Sequence, residues 1–172
     1  SEILLGRADG GPVPLSIVST RFLGDNARAQ AWIAHLLVEL SRWCMRTPRA
    51  QLQAVVMLDE ADLYMPAGSA KPPSKEPLQD LLKRARSGGL GVMLATQSPG
   101  DLDYRSREQI NTWFIGKIGE NRSIEKLRPL FERKPAAAAK VADLRSGHFI
   151  VVQGGVVSEI ERAPSMLITE QL

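Results

Sequence analysis

Four apolar residues, Val55-Val56-Met57-Leu58, stop abruptly on two adjacent carboxylates, Asp59 and Glu60. The run has no polar alternation, so it reads as a strand buried on both faces, as in parallel sheets. The C-terminal end of such a strand is where open parallel sheets place their ligand crevice. Two carboxylates there suit magnesium-dependent phosphate chemistry. One holds the ion's water shell, and the other orients or deprotonates an attacking water. The competing reading is a strand that ends on a solvated acidic turn.

The flanking chain alternates helices with strands. Residues 1–14 carry Gly6, Gly10, Gly11, Pro12 and Pro14 and read as a lead-in. Leu15 to Thr20 is a β-type run. Asp25 or Asn26 is the expected N-cap of a helix over 27–45. Trp32, Ile33, Leu36 and Trp43 widen the apolar face of that helix, which predicts burial on more than one side or against a partner subunit. His35 within it reads as a packed histidine. Pro66 to Pro77 reads as a solvated loop. A helix over 76–87 follows, and Gly88-Gly89 ends it. Residues 91–96 form a second apolar strand that ends on Gln97. A short helix over 101–109, a third strand over 111–118 and helices over 122–132 and 136–144 come next. Two strands around Gly154-Gly155 make a hairpin, and 161–172 reads as a tail. The expected fold is one α/β domain, with a mostly parallel sheet flanked by helices and a C-terminal β-hairpin.

The 172 residues, 44% of them hydrophobic, suffice for a core and argue against disorder. A net charge of +3 is too mild to argue nucleic-acid binding by itself, although a pI of about 9.2 permits it. The single Cys44 excludes an internal disulfide framework and fits a reducing, cytoplasmic setting. No apolar run reaches the ~20 residues of a membrane span.

Asp59-Glu60 and Gln97 end neighbouring strands, and Arg84 and Arg86 precede the second. An amide beside a carboxylate pair can hold an attacking water or sense a terminal phosphate. Guanidinium groups can neutralise charge that grows on phosphoryl oxygens. Cations late in a helix also complement its dipole, which needs no function.

The stretches VMLDEAD (56–62), LLKRARSGG (81–89) and LGVMLATQSPGDL (90–102) resemble the second half of the ATPase domain in the HerA–FtsK group of P-loop DNA translocases, in its HerA-like form. The resemblance spans about residues 15–153. It implies a partial RecA-like P-loop NTPase fold, ATP and Mg²⁺ as cofactors, and a hexameric homo-oligomeric ring. It also implies double-stranded DNA as substrate and a nuclease as a partner. In that reading Asp59 is the Walker B aspartate holding Mg²⁺ through water. Glu60 is the catalytic base, and Gln97 senses the γ-phosphate. Arg86, with Arg84 second, is the arginine finger acting on a neighbouring subunit's nucleotide. Lys71 and Lys75 face DNA from the 66–77 loop, or else are solvated linker residues.

One departure is large. A P-loop needs G-x-x-x-x-G-K-[ST], and no such stretch occurs; Gly116-Lys117 is followed by Ile118 inside a strand. The missing P-loop and the absence of an initial methionine fit a C-terminal fragment that does not hydrolyse ATP alone. In the family's sheet order the P-loop strand lies between the Gln97 strand and the 111–118 strand. A gap or a rearranged pairing is therefore expected there. The alternatives are a non-catalytic interaction or regulatory module that keeps the fold, and an unrelated hydrolase or nuclease using the carboxylates.

Overall fold

Asp25 starts the first long helix: its Oδ1 accepts the Arg28 N–H at 2.8 Å, as an N-cap does. The computed structural model describes residues 13–163 and divides after Gln109 into two units, each taken by itself.

In the first unit, helix α1 (Asn26–Arg46) buries Ala29, Ile33, Leu37, Leu40 and Cys44 on one stripe. Strand β1 (Ala54–Leu58), the short helix α2 (Ala61–Tyr64), helix α3 (Lys75–Arg84) and strand β2 (Leu90–Leu94) follow. Strands β1 and β2 pair in parallel, from Ala54 opposite Leu90 to Leu58 opposite Leu94. Leu58 and Leu90 enter a core with Leu37, Leu40, Leu78 and Leu81, and Val56, Val92 and Leu94 pack against it. The other face of the pair is open: Val55, Met57 and Met93 are 54, 59 and 52% exposed. Burial on both faces, expected for the 55–58 strand, is thus met on one face only. His35 is exposed rather than packed, and Trp32 and Val38 also stand at the surface of α1.

Gly88 and Gly89 seat the start of β2. A Cβ on Gly88 would stand 2.4 Å from Cys44 Cβ and 2.7 Å from Cys44 Cα. Gly89 has φ +65°, and a Cβ there would stand 2.3 Å from the Gln51 carbonyl oxygen. Only residues without a side chain permit this approach. Gln53 then locks the join, its N–H donating to Gly89 O at 2.7 Å and its Nε2 to Gly88 O at 2.9 Å.

Two sequence expectations fail here. Residues 15–20 form no strand, and Leu15 and Ile17 are exposed. The 66–77 stretch is not a solvated loop along its length. Ala67 N–H bonds Asp101 O at 2.7 Å, and the fully buried Ser74 donates to Tyr64 O at 3.0 Å. Helix α3 begins at Lys75, and Pro77 sits in its first turn, where a missing N–H costs no helical bond. Lys75 Nζ lies 2.8 Å from Asp103 Oδ2, with both side chains under 10% exposed. It also donates to Pro66 O at 2.6 Å and Ala70 O at 3.3 Å. Burial pushes the Asp103 carboxyl up. The Lys75 hydrogen bond, the Arg105 N–H and the charges of both cations outweigh that and hold it below the usual range.

In the second unit, strand β3 (Thr112–Ile115) pairs antiparallel with β4 (His148–Gln153), which pairs antiparallel with β5 (Val156–Glu161). Gly154 and Gly155 both have positive φ, at 56° and 81°, as a two-residue primed hairpin turn needs. Helices α4 (Asn121–Leu127) and α5 (Pro135–Lys140) lie between β3 and β4 in sequence. The unit's buried apolar residues are Ile115, Leu127, Phe131, Ala137, Ala138, Val141, Ile150 and Val152. The class is the expected α/β. The parallel part is one pair of strands, and the other three are antiparallel. Strands β2 and β3 belong to separate sheets, at the point where a gap or altered pairing was expected. The lead-in over 1–12 and the tail over 164–172 lie outside the described residues. No described helix is long and apolar enough to cross a membrane.

Gly88→Ala is expected to destabilise the first unit by about 1–3 kcal/mol through overpacking, read as a lower urea midpoint. Lys75→Met should cost about 3 kcal/mol by stranding the buried Asp103 charge, whereas Lys75→Met with Asp103→Leu should recover most of it. Because the folded Asp103 value lies below the unfolded one, the pair's stability is fully present above about pH 4. It is lost as pH falls through the lowered folded value. An acid titration of wild type against the double variant reads this difference.

Candidate functional site

The register of the parallel pair decides what meets at its C-terminal edge. Leu58 stands opposite Leu94, so Asp59-Glu60 and Gln97 leave adjacent strands at the same edge. Two bonds carry the ladder past the strand ends. Ala95 N–H donates to Leu58 O at 2.9 Å, and Ala61 N–H donates to Ala95 O at 2.8 Å. Asp59, Glu60 and Gln97 all face solvent.

Glu60 is the only non-glycine with positive φ among the described residues, at φ 51° and ψ 48°. A left-handed glutamate costs about 1–2 kcal/mol. Its N–H bonds Asp59 Oδ1 at 2.9 Å, which closes a tight local turn. The strained residue is one of the two carboxylates that the sequence singled out for chemistry.

Behind this pair lies a contact that sequence reasoning missed. Thr96 Oγ1 donates to Asp62 Oδ1, and the same hydroxyl accepts the Ser98 N–H at 3.0 Å. Gln97 is therefore held between two residues joined through one hydroxyl, and that hydroxyl is tied to α2. Both Asp62 and Thr96 lie in stretches that carry the family resemblance. A carboxylate three residues after Asp59 and a hydroxyl before Gln97 were the available signal.

The arginines are placed apart from the acids. Arg84 ends α3, and Arg86 lies in the 3-10 turn Ala85–Gly88 that leads into β2. They stand at the N-terminal end of β2, and Gln97 follows its C-terminal end. Five residues of strand separate the two ends, or roughly 16 Å at ~3.3 Å per residue. Arg84 Nη1 lies 3.4 Å from Met45 Sδ, and both arginines are exposed. Lys71 is exposed, whereas Lys75 is buried against Asp103, so the two lysines are not equivalent.

Among the described residues, no group of three His, Cys, Asp or Glu could hold a metal ion. Magnesium does not require one. It keeps several waters and uses one or two carboxylates plus substrate phosphates. Asp59 with Glu60 fits that half-set, and phosphate oxygens would have to supply the rest.

No family model matches the sequence, and no curated protein matches it. Solved structures do resemble the fold. The genome-packaging NTPase B204 from Sulfolobus turreted icosahedral virus 2, in complex with ATP-gammaS, matches with a TM-score of 0.51 and 23% identity, over 64% of this chain and 52% of that one. The crystal structure of B204, the DNA-packaging ATPase from Sulfolobus turreted icosahedral virus, matches with a TM-score of 0.51 and 21% identity, over 64% and 52%. This chain spans about half the length of these neighbours. The likeness is one of fold: the chain is a mixed α/β protein folded in part like these packaging ATPases.

Proposed function

We propose that this chain supplies the Walker B and sensor half of the ATP site in a HerA/FtsK-like DNA motor. One observation carries the reading. Strands β1 and β2 pair in parallel and in register, so Asp59-Glu60 and Gln97 share one sheet edge. Sensor and carboxylates must be adjacent there to act on one phosphate.

Three further observations support it. Backbone strain of the kind at Glu60 persists where the surroundings over-determine it, often at functional positions. The open apolar face at Val55, Met57 and Met93 is unusual, because parallel strands are normally covered on both faces. The fold neighbours bind ATP analogues, as the complex with ATP-gammaS illustrates.

In this reading Glu60 positions and deprotonates the attacking water, and Gln97 donates its amide N–H groups toward the terminal phosphate. Asp59 accepts hydrogen bonds from the water shell of Mg²⁺, which would supply charge neutralisation on the phosphates. The Asp62–Thr96 bond keeps Gln97 in place. Arg86, or Arg84, acts across a subunit boundary, because its own Gln97 stands a strand length away. The whole protein would be a hexameric ring that moves double-stranded DNA. A nuclease partner finds no support in the fold. The competing non-catalytic module predicts no G-x-x-x-x-G-K-[ST] elsewhere in the gene, and the motor predicts one.

The purified 172-residue chain should show no Mg²⁺-dependent ATP hydrolysis; turnover abolished by Glu60→Gln would overturn the half-site reading. In a protein that also carries the P-loop, Glu60→Gln should lower turnover about 10²–10⁴-fold and spare ATP binding. Unchanged turnover removes Glu60 from its role. Glu60→Gly should relieve the left-handed strain and raise the melting temperature of the present chain, against the usual direction for a glycine substitution. A lower melting temperature would show that the glutamate side chain is needed for folding.

A further inference from the structure

The three-stranded sheet of the second unit ends on β5, which is six residues long. The hairpin sets which way its backbone groups point. The Gly154-Gly155 turn closes on Gln153 opposite Val156, and hydrogen-bonded pairs of an antiparallel ladder alternate from there. The Arg162 N–H donates to Gly147 O at 2.8 Å, in step with that alternation. Val156, Ser158 and Ile160 therefore direct their backbone groups at β4. Val157 and Glu159 turn theirs to the free edge, where none of the described residues takes them.

The two faces of β5 differ. Val157 and Glu159 share the face of the buried Ile150 and Val152. Val156, Ser158 and Ile160 lie on the opposite face, beside Phe149 and Val151. Val156 and Ile160 are 65 and 41% exposed. A free edge is a template for another strand, and charged side chains are one common guard against that. Here the guard is neutralised: Glu159 Oε1 accepts from Lys140 Nζ at 2.7 Å.

Charge then selects a second β5 as the partner, in one register. Two identical strands pair antiparallel about a two-fold axis, and the faces match only when the axis passes through a residue. An axis at Glu159 sets carboxylate against carboxylate, and an axis at Ile160 sets Glu159 against Glu161. An axis at Val157 overlaps only residues 156–158. With the axis at Ser158, Val156 stands opposite the second copy's Ile160, and Val157 opposite its Glu159. No like charges meet, and two apolar cross-strand pairs form on the exposed face.

We propose that β5 is a self-pairing edge: two copies of this chain join their β5 strands antiparallel about Ser158, and two three-stranded sheets become one of six strands. Val157 and Glu159 exchange four backbone hydrogen bonds across the axis, two donated by each copy. The contact is small. Four bonds and two apolar pairs fall well short of the ~1,600 Å² of a standard interface, so the dimer is weak and reversible. The inference rests on β5 alone and is independent of the ATP-site reading.

Sedimentation velocity of the 172-residue chain from about 10 µM to about 1 mM, a range suited to a weak contact, tests the pairing, with hydrogen exchange at both ends of the range. The dimer fraction should grow with concentration, and exchange of the Val157 and Glu159 N–H groups should slow in step. Ser158→Lys and Ser158→Glu each set like charges against one another at the axis. Each should weaken the dimer about fivefold at low salt, and an equimolar mixture of the two should restore it. Phe114→Ser changes the same exposed face two strands from the edge and should leave the dimer unchanged. An unchanged far-UV spectrum verifies that each variant folds. A monomer throughout the range, or a dimer indifferent to both Ser158 variants, overturns the self-pairing. Loss of the dimer in Phe114→Ser, with Val157 and Glu159 exchange independent of concentration in wild type, overturns it in favour of stacked sheet faces.

Discussion

The peptide of Ala95 is bonded to the end of β1 on both sides. Its N–H reaches Leu58 O, and its carbonyl takes the Ala61 N–H. These two bonds fix the register at the point where both strands end. A slip by one residue would send every side chain of the pair to the opposite face. It would also move Gln97 relative to Asp59. The left-handed turn at Glu60 follows from the same bonds: the chain must leave β1 and have its N–H at Ala61 facing β2 within two residues. The strain at Glu60 is the local cost of that geometry, and the Thr96–Asp62 bond is its counterpart on the other strand.

At the opposite end of the pair, steric fit takes the place of hydrogen-bond clamps. Gly88 lies against the Cys44 backbone and Gly89 under the Gln51 carbonyl, so β2 starts as close to α1 as a chain can. The S-G-G segment contributes to the resemblance to DNA translocases. In this fold it has a mechanical explanation that requires no nucleotide. The arginine just before it is separated by the length of β2 from the carboxylates at the far edge. An arginine so placed cannot serve those carboxylates within its own chain, which is why any catalytic use of it needs a second subunit.

Charge placement in the first unit follows burial. Lys75 and Asp103 are removed from water together, and the ammonium is satisfied by a carboxylate and two carbonyls. That arrangement pins the 66–74 loop to the start of α3. Lys71, Lys83 and Arg105 are among the cations of this unit that stand at exposed positions. Two lysines four residues apart in one Pro-rich stretch look alike in sequence, and only their burial separates a structural role from a free charge.

The sequence by itself determined the α/β class, the two apolar strands, the glycine hairpin and the residues at the strand ends. Each is written locally, in hydrophobic runs, in Gly-Gly and in the Asp25 cap, where the signal spans a few neighbouring residues. Tertiary structure decided the rest. Whether the 15–20 run becomes a strand depends on tertiary pairing, which its β-type composition alone does not supply. Whether β1 is covered on one face or two depends on which layers are present, so Val55 and Met57 stand open beside buried Leu58. The order of pairing, parallel for β1–β2 and antiparallel for β3–β4–β5, rests on contacts between residues far apart in the chain. The meeting of Asp59, Glu60 and Gln97 rests on the same long-range register, since 36 residues separate Glu60 from Gln97 and nothing local specifies which strands lie side by side.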